Sequence, residues 1–142
     1  MSKRVKTLGL LLAGLLSAGA AWADVVIIVN PKNPVASLTP EQVSALFLGK
    51  TSTLPSGAAA ALADQLETAP LYEEFYAKVA GKSGSQVKAA WSRLTFSGKG
   101  TPPRPMANSA EVRKFVAGNQ DAVGYIEKSA VDGSVKVVLT VN

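Results

Sequence analysis

The chain contains neither cysteine nor histidine among its 142 residues. The lack of cysteine excludes disulfides, thiolate nucleophiles and a lipid-modified N-terminal cysteine. The lack of histidine excludes Ser-His-Asp triads and zinc sites built on imidazole. The ten acidic residues form no calcium-loop pattern and no cluster beyond Glu73-Glu74, a pair typical of a solvated helix face. We therefore expect a protein that is not an enzyme and that uses no metal and no cofactor.

Residues 1–23 have the three parts of a secretory signal peptide. Basic residues precede an apolar run over residues 8–20, and Ala21-Trp22-Ala23 fits a small-x-small cleavage site. The apolar run is shorter than the roughly 20 residues that a membrane span needs, and an uncleaved anchor is the alternative. We predict cleavage after Ala23, a periplasmic location, and one domain over residues 24–142 with no membrane span.

The net charge of +5 lies largely in this predicted leader. Without it the chain keeps twelve basic and ten acidic residues, a net charge of +2. No stretch interleaves aromatic and basic residues as single-strand nucleic-acid platforms do, so we predict no nucleic-acid partner. Four basic residues gather around one predicted helix, where they form either a basic patch or, by default, a solvated face: Lys82, Lys88, Arg93 and Lys99.

The first elements of the chain after the leader are a strand and a helix. Residues 25–29 form a continuous β-branched run, which predicts a strand buried on both faces. A helix follows, because Thr39 is a typical N-cap, Pro40 fits the first helical position, and Gln42 completes a capping box. Gly49 marks its end.

The rest of the chain alternates helices with strands. Residues 97–105 hold too much glycine and proline to continue a helix and are predicted to be irregular. The element order predicts an α/β sandwich with a mainly parallel sheet covered by helices. Further strands are predicted over residues 58–64, 122–126 and 135–141, and further helices over residues 69–80, 85–96 and 108–116.

Two end segments carry a resemblance to a known family. Residues 38–50 (LTPEQVSALFLGK) and 121–127 (DAVGYIE) resemble the two ends of one lobe of the phosphate-binding subunit of bacterial ABC transporters. Glu74-Phe75-Tyr76, residues 91–99 and Thr101-Pro-Pro-Arg104 are similar to small single-lobe proteins of that group. The resemblance implies one lobe of a type II periplasmic binding protein, a three-layer α/β sandwich with a mainly parallel mixed sheet flanked by helices. The ligand of such proteins lies in a cleft between two lobes.

The phosphate motif of that family is altered here. In the two-lobe relatives an Arg, then Ser-Gly-Thr at a helix start, hold phosphate. With Phe75 as the anchor of the comparison, Gln65 stands at the Arg position and Ala69-Pro70-Leu71 at the Ser-Gly-Thr positions, so a charge, two hydroxyls and one N–H are lost. Each lost bond weakens anion binding by about 1.5 to 3 kcal/mol. The resemblance thus implies weak oxyanion binding at the helix start, with these ligand-binding candidates: Gln65, Thr68, Leu71 and Tyr72.

Two basic residues outside this segment are candidates for anion or partner contacts. Lys50 follows a predicted helix, where a cation is favourable against the helix dipole without any ligand. Arg104 lies between prolines on a stiff loop, which suits presentation to a partner but also a plain solvated charge. Trp91 and Tyr125 are candidates for stacking on a ligand, although their neighbours place them in core patterns.

Two functions remain in competition. The first is a periplasmic substrate-binding protein related to phosphate ABC transport, with phosphate or another small oxyanion as ligand and an ABC permease or another periplasmic or membrane protein as partner. The second is a ligand-free partner-binding or sensory accessory module, because a lone lobe exposes a surface that its relatives bury. That module meets another protein or forms a homodimer. The sequence leaves open the ligand, the partner, the oligomeric state and whether another chain supplies a second lobe.

Overall fold

The computed structural model describes residues 24–142, so the predicted leader, residues 1–23, lies outside the described residues. Five strands and four α-helices alternate along the described part of the chain. In chain order they are β1 (Val25–Val29), α1 (Pro40–Phe47), β2 (Ala61–Gln65), α2 (Pro70–Ala80), α3 (Gly84–Phe96), β3 (Arg104–Met106), α4 (Ser109–Ala117), β4 (Ala122–Glu127) and β5 (Lys136–Val141). None of the helices within residues 24–142 is long and apolar enough to cross a membrane.

The five strands form one mixed sheet in the order β3-β2-β4-β1-β5. β2 runs parallel to both of its neighbours, β3 and β4, while β1 runs antiparallel to β4 and β5. β1 is therefore the one reversed strand of this sheet. The register places Ile27 opposite Tyr125 on one side and Leu139 on the other. The predicted mainly parallel α/β sandwich is confirmed.

Alternate residues of β1 enter two different cores. Val25, Ile27 and Val29 face the larger core, which packs against α1, α2 and α3, and Val26 and Ile28 face a smaller one under α4. All five side chains are at most 1% exposed, as the unbroken apolar run predicts. The larger core is aromatic, and Phe47, Phe75, Tyr76 and Tyr125 form its centre.

Local signals place the helix ends within a residue or two of the predicted positions. Thr39 accepts a hydrogen bond from the Gln42 N–H at 3.1 Å, and the Gln42 side chain accepts one from the Thr39 N–H at 2.8 Å, which confirms the capping box. Ser83 and Gln86 form a second such box that the sequence analysis missed. Gly49, just beyond α1, has a φ of 74°, a conformation that glycine adopts without strain.

Two predictions about strands were wrong. β2 begins at Ala61, three residues later than expected, and Arg104–Met106 forms a short strand within a segment predicted to be irregular. β3 pairs only with β2, at the edge of the sheet. An edge strand tolerates Pro105, because its missing N–H need not serve a second neighbour. The proline-rich composition that argued against a strand is therefore compatible with this one.

Candidate functional site

A cavity of about 770 Å³ opens beside the carboxyl end of β2. We refer to it as the strand-end cavity. Its inner wall is formed by the last residues of β2 and the first turn of α2, its outer wall by α3, and its rim by a proline-rich loop before and within β3. The principal lining residues are Asp64, Gln65, Leu66, Tyr72, Val87, Trp91, Phe96, Pro102, Pro103 and Pro105.

The lining of this cavity is mostly apolar. Phe96 is 95% exposed and Leu66 is 43% exposed, which is unusual for side chains of this size. Lys88 is the one basic residue of the lining, and its ammonium lies 3.3 Å from the carboxylate of Glu67. The strand-end cavity therefore offers no unpaired cation to an anion, and its walls suit a ligand or partner with apolar groups.

Asp64, the next-to-last residue of β2, has a buried carboxylate that accepts three hydrogen bonds. The Tyr76 hydroxyl donates to it at 2.7 Å, the Tyr125 hydroxyl donates to it as well, and the Gln65 N–H donates at 2.9 Å. Burial raises the pKa of Asp64, and these hydrogen bonds oppose that rise. Burial and the neighbouring carboxylate of Asp64 raise the pKa of both Tyr76 and Tyr125. The three side chains form a hydrogen-bonded polar cluster, and its member Asp64 also lines the strand-end cavity.

The side chain of Gln65 extends this cluster toward β4 and α4. Its amide nitrogen donates to the Tyr125 carbonyl and to the Ser109 hydroxyl, each at 3.1 Å. The Ser109 hydroxyl in turn donates to the carboxylate of Glu127. Gln65 is only 3% exposed. This ligand-binding candidate therefore lines the strand-end cavity, while its amide nitrogen is committed to bonds inside the protein.

The start of α2 offers few groups to an anion. Ala69, not Thr68, is the N-cap, and it makes no side-chain capping bond. Its N–H donates to the Leu66 carbonyl at 2.9 Å, Pro70 has no N–H, and the Tyr72 N–H donates to the Ala69 carbonyl at 3.0 Å. Thr68 is exposed in front of this helix start.

The other two candidates of this segment point into the protein. Leu71 and Tyr72 belong to the larger core, although Tyr72 also reaches the cavity wall. Burial, with the nearby carboxylates of Asp64, Glu67 and Glu73, raises the pKa of Tyr72 to about 12. The structure thus brings Gln65 and Tyr72 to one cavity, whereas the exposed Thr68 is not one of its lining residues.

The two basic candidates lie elsewhere. Lys50 is exposed beyond α1, and its backbone N–H donates to the Ala45 carbonyl at 2.8 Å. Arg104 begins β3, with its guanidinium carbon 5.9 Å from the centre of the Phe115 ring. Neither residue lines the strand-end cavity.

Both aromatic candidates for stacking are core residues. The Trp91 indole N–H donates to the Phe47 carbonyl at 2.9 Å, although one edge of the ring reaches the strand-end cavity. Tyr125 is fully buried and stacks on Phe75 with the ring centres 3.8 Å apart. Sequence reasoning missed Asp64 and Phe96. Two features of the sequence could have indicated them. Asp64 is an acidic residue near the end of an apolar strand, and Phe96 lies outside the buried stripe of Val87 and Trp91 on its helix.

No protein-family model matches the chain, and no curated protein matches it either. Solved structures do. A phosphate ABC transporter substrate-binding protein with bound phosphate from Clostridium perfringens superposes with a TM-score of 0.67 at 23% identity, over 82% of this chain and 45% of that one. An ABC-type phosphate transport receptor from Vibrio cholerae gives 0.65 at 21% identity, over 82% of this chain and 46% of the receptor.

A third structure, PstS from Borrelia burgdorferi, gives a TM-score of 0.62 at 12% identity, over 82% of this chain and 47% of that protein. These likenesses show a shared fold, which confirms the resemblance predicted from the two end segments. The chain spans less than half the length of each of these proteins. The fold shared with this chain is therefore only part of each of these proteins.

Proposed function

We propose that the protein is an exported binding protein related to the substrate-binding proteins of phosphate ABC transporters, and that its ligand occupies the strand-end cavity. One observation carries the proposal: the cavity lies at the carboxyl end of β2, in a fold shared with part of a phosphate-bound protein. Open α/β sheets bind ligands outside the carboxyl ends of their strands. The matched proteins are named as binding proteins and receptors, which indirectly supports a role other than catalysis.

The proposed location and partner follow from the same relationship. The leader-like composition of residues 1–23 supports export to the periplasm. Proteins named as parts of ABC transport systems share the fold, so an ABC permease is the first partner to test. Another periplasmic or membrane protein is the second.

A small oxyanion such as phosphate is the proposed ligand, bound weakly beside the start of α2, because the mostly apolar cavity offers it no unpaired cation. Thr68 supplies an exposed hydroxyl at the start of α2, and the helix dipole favours negative charge there. The neutral Gln65 and the missing N–H of Pro70 reduce the attraction, and the nearby carboxylates of Asp64 and Glu67 oppose it. We therefore expect dissociation constants in the millimolar range.

Isothermal titration of the exported form, residues 24–142, with phosphate and sulfate tests this ligand. We expect saturable binding of phosphate that Thr68→Ala weakens about tenfold, the loss of one hydrogen bond to a charged group. Thr140→Ala is the matched control, because Thr140 is also exposed but lies on the edge strand β5. An absence of heat at millimolar phosphate and sulfate rules out the oxyanion.

A second function, a partner-binding module, is favoured by the exposure of Phe96. This ring lies on the rim of the strand-end cavity near the half-exposed Leu66, and neighbouring exposed apolar side chains mark interaction sites. Light scattering over a range of concentrations tests for a homodimer that Phe96→Ser dissociates and Val137→Ser, on β5, leaves intact. A strict monomer that co-purifies with no periplasmic protein excludes this function.

A further inference from the structure

A second groove, of about 320 Å³, lies at the amino end of β2, away from the strand-end cavity along the same strand. We refer to it as the amino-end groove. Fourteen residues line it, and among them two are basic, three carry hydroxyls and none is acidic. The polar side chains of the lining are Lys99, Arg104, Thr51, Ser52 and Thr101.

The groove exists because β3 covers only part of the edge of β2. β3 pairs with residues 63–65 of β2, whereas residues 60–62 line the groove. Trp91, from α3 on one face of the sheet, and Phe115, from α4 on the other, both line the groove. The amino-end groove therefore lies beside the part of β2 that β3 leaves unpaired.

The two cations of the groove have no anionic partner within residues 24–142. Neither Lys99 nor Arg104 makes an ion pair or a side-chain hydrogen bond there. Arg104 lies near the face of Phe115, 5.9 Å from the ring centre, a contact that orients the guanidinium without neutralising its charge. Two positive charges and their donors are thus available to a ligand.

Two glycines hold the loops of the groove against a fixed floor. A Cβ on Gly49 would lie 2.9 Å from the Trp91 ring, and one on Gly100 would lie 3.1 Å from it. Both loops therefore pack directly on the indole, which its hydrogen bond to the Phe47 carbonyl holds in place. The loop that carries Thr51 and Ser52 and the loop that carries Lys99 and Thr101 share this floor, so their donors are positioned before any ligand arrives.

We propose that the amino-end groove binds a small oxyanion, either inorganic phosphate or the phosphate group of an ester. The Arg104 guanidinium supplies a planar fork of donors that matches an oxyanion, and Lys99 supplies a second charge. The hydroxyls of Thr51, Ser52 and Thr101 supply further donors. This site shares Trp91 and Pro102 with the lining of the strand-end cavity, but none of its polar side chains lines that cavity. It does not depend on the function proposed for the strand-end cavity.

Phosphate titration followed by amide NMR tests the proposal on residues 24–142. The amides of Gly49, Gly100 and Thr101 are expected to shift with a single saturation curve. The double variant Lys99→Gln/Arg104→Gln removes the charges of the groove, and Lys128→Gln/Arg93→Gln removes one lysine and one arginine that are exposed and line neither cavity. We expect the first to lower the affinity at least about tenfold and the second to change it less than about twofold.

The remaining outcomes separate this site from the strand-end cavity. Phosphate binding that Thr68→Ala abolishes and the groove double variant retains overturns the groove and supports the cavity. If neither phosphate nor a glycerol phosphate ester shifts any amide of the wild-type protein, both oxyanion sites are overturned. If a glycerol phosphate ester shifts the amides of the groove and free phosphate does not, the groove is assigned to esters. Binding of an acidic peptide alone overturns the small-ligand proposal.

Discussion

At the carboxyl end of β2, Asp64 and Gln65 are buried and hydrogen-bonded inside the protein. Near its amino end, Lys99 and Arg104 line a groove and make no ion pair or side-chain hydrogen bond within the described chain. Polar groups that are buried must be paired, because an unpaired one costs about 1 to 3 kcal/mol. Exposed cations carry no such cost. Asp64 and Gln65 therefore maintain the fold, whereas Lys99 and Arg104 are available to bind a ligand.

The same contrast applies to Gln65, the residue that the resemblance predicts at an anion-binding position. Gln65 stands where the resemblance places a phosphate-binding arginine, and its neutral side chain can be buried where a guanidinium would need a counter-charge. Its amide nitrogen bonds β4 and Ser109 instead. A position associated with ligand binding in the family thus joins two strands and a helix here.

The largest expected effect is that of removing Asp64. Asp64→Ala leaves the hydroxyls of Tyr76 and Tyr125 without their acceptor, and the Gln65 N–H keeps only its 3.2 Å bond to the Tyr125 hydroxyl. We therefore expect the free energy of unfolding to fall by about 3 to 5 kcal/mol in urea titrations. Tyr76→Phe is the matched control, since it removes one donor and leaves the carboxylate two others, and should cost about 1 kcal/mol. A loss below about 1 kcal/mol for Asp64→Ala contradicts a structural role of the cluster.

Alkaline pH should lower the free energy of unfolding through the tyrosines around Asp64. The chain has three tyrosines, and the pKa of each is raised in the fold. A group that keeps its proton longer when folded stabilises the protein fully below its unfolded pKa, about 10 for tyrosine, and this stability is lost as the pH rises further. For each of Tyr76 and Tyr125 the loss reaches about 1.4 kcal/mol per pH unit.

Two measurements check this behaviour. Urea titrations between neutral pH and pH 11 should show constant stability up to about pH 9 and a steep decline above about pH 10. Near-ultraviolet absorbance of the folded protein should show no tyrosinate at about pH 10, where an exposed tyrosine is half ionised. A tyrosine that titrates normally while the protein stays folded would show that the cluster is open to water.

The sequence predicted the elements well because their signals are local. The apolar run of β1 and the capping box of Thr39 and Gln42 lie within a few residues. The cluster of Asp64 joins residues 12 and 61 positions apart, and the amino-end groove gathers five separate segments. No local pattern contains such pairings, so Arg104 could be named as a candidate but not placed beside Lys99. β3 was missed because a three-residue edge strand has no periodicity to detect.

The third-largest expected effect on stability is that of Gly49→Ala, which inserts a side chain against Trp91, the floor of the amino-end groove. Gly49→Ala places a Cβ 2.5 Å from Leu94 and 2.9 Å from Trp91, at a φ of 74°, so we expect a loss of about 2 to 4 kcal/mol from the backbone strain and the overpacking together. Gly98→Ala has the same kind of φ, 72°, but open space around its Cβ, and should cost only about 1 to 2 kcal/mol. Equal losses of stability for Gly49→Ala and Gly98→Ala in thermal or urea unfolding would mean that the Trp91 side chain moves to accommodate the new methyl group. The groove would then not be preorganised.

The smallest expected effect is that of the free cations on stability. Lys99→Gln/Arg104→Gln should change the free energy of unfolding by less than about 1 kcal/mol, because only the contact of Arg104 with Phe115 is lost. Added phosphate at a free concentration L should stabilise the wild-type protein by RT ln(1 + L/Kd) and raise its unfolding midpoint accordingly, and it should raise that of the double variant less, because only the weak site proposed at the start of α2 remains. A loss of several kcal/mol without phosphate would instead place both cations among the groups that maintain the fold. The contrast between the two ends of β2 would then fail, because ligand-free positive charge is what distinguishes the amino end.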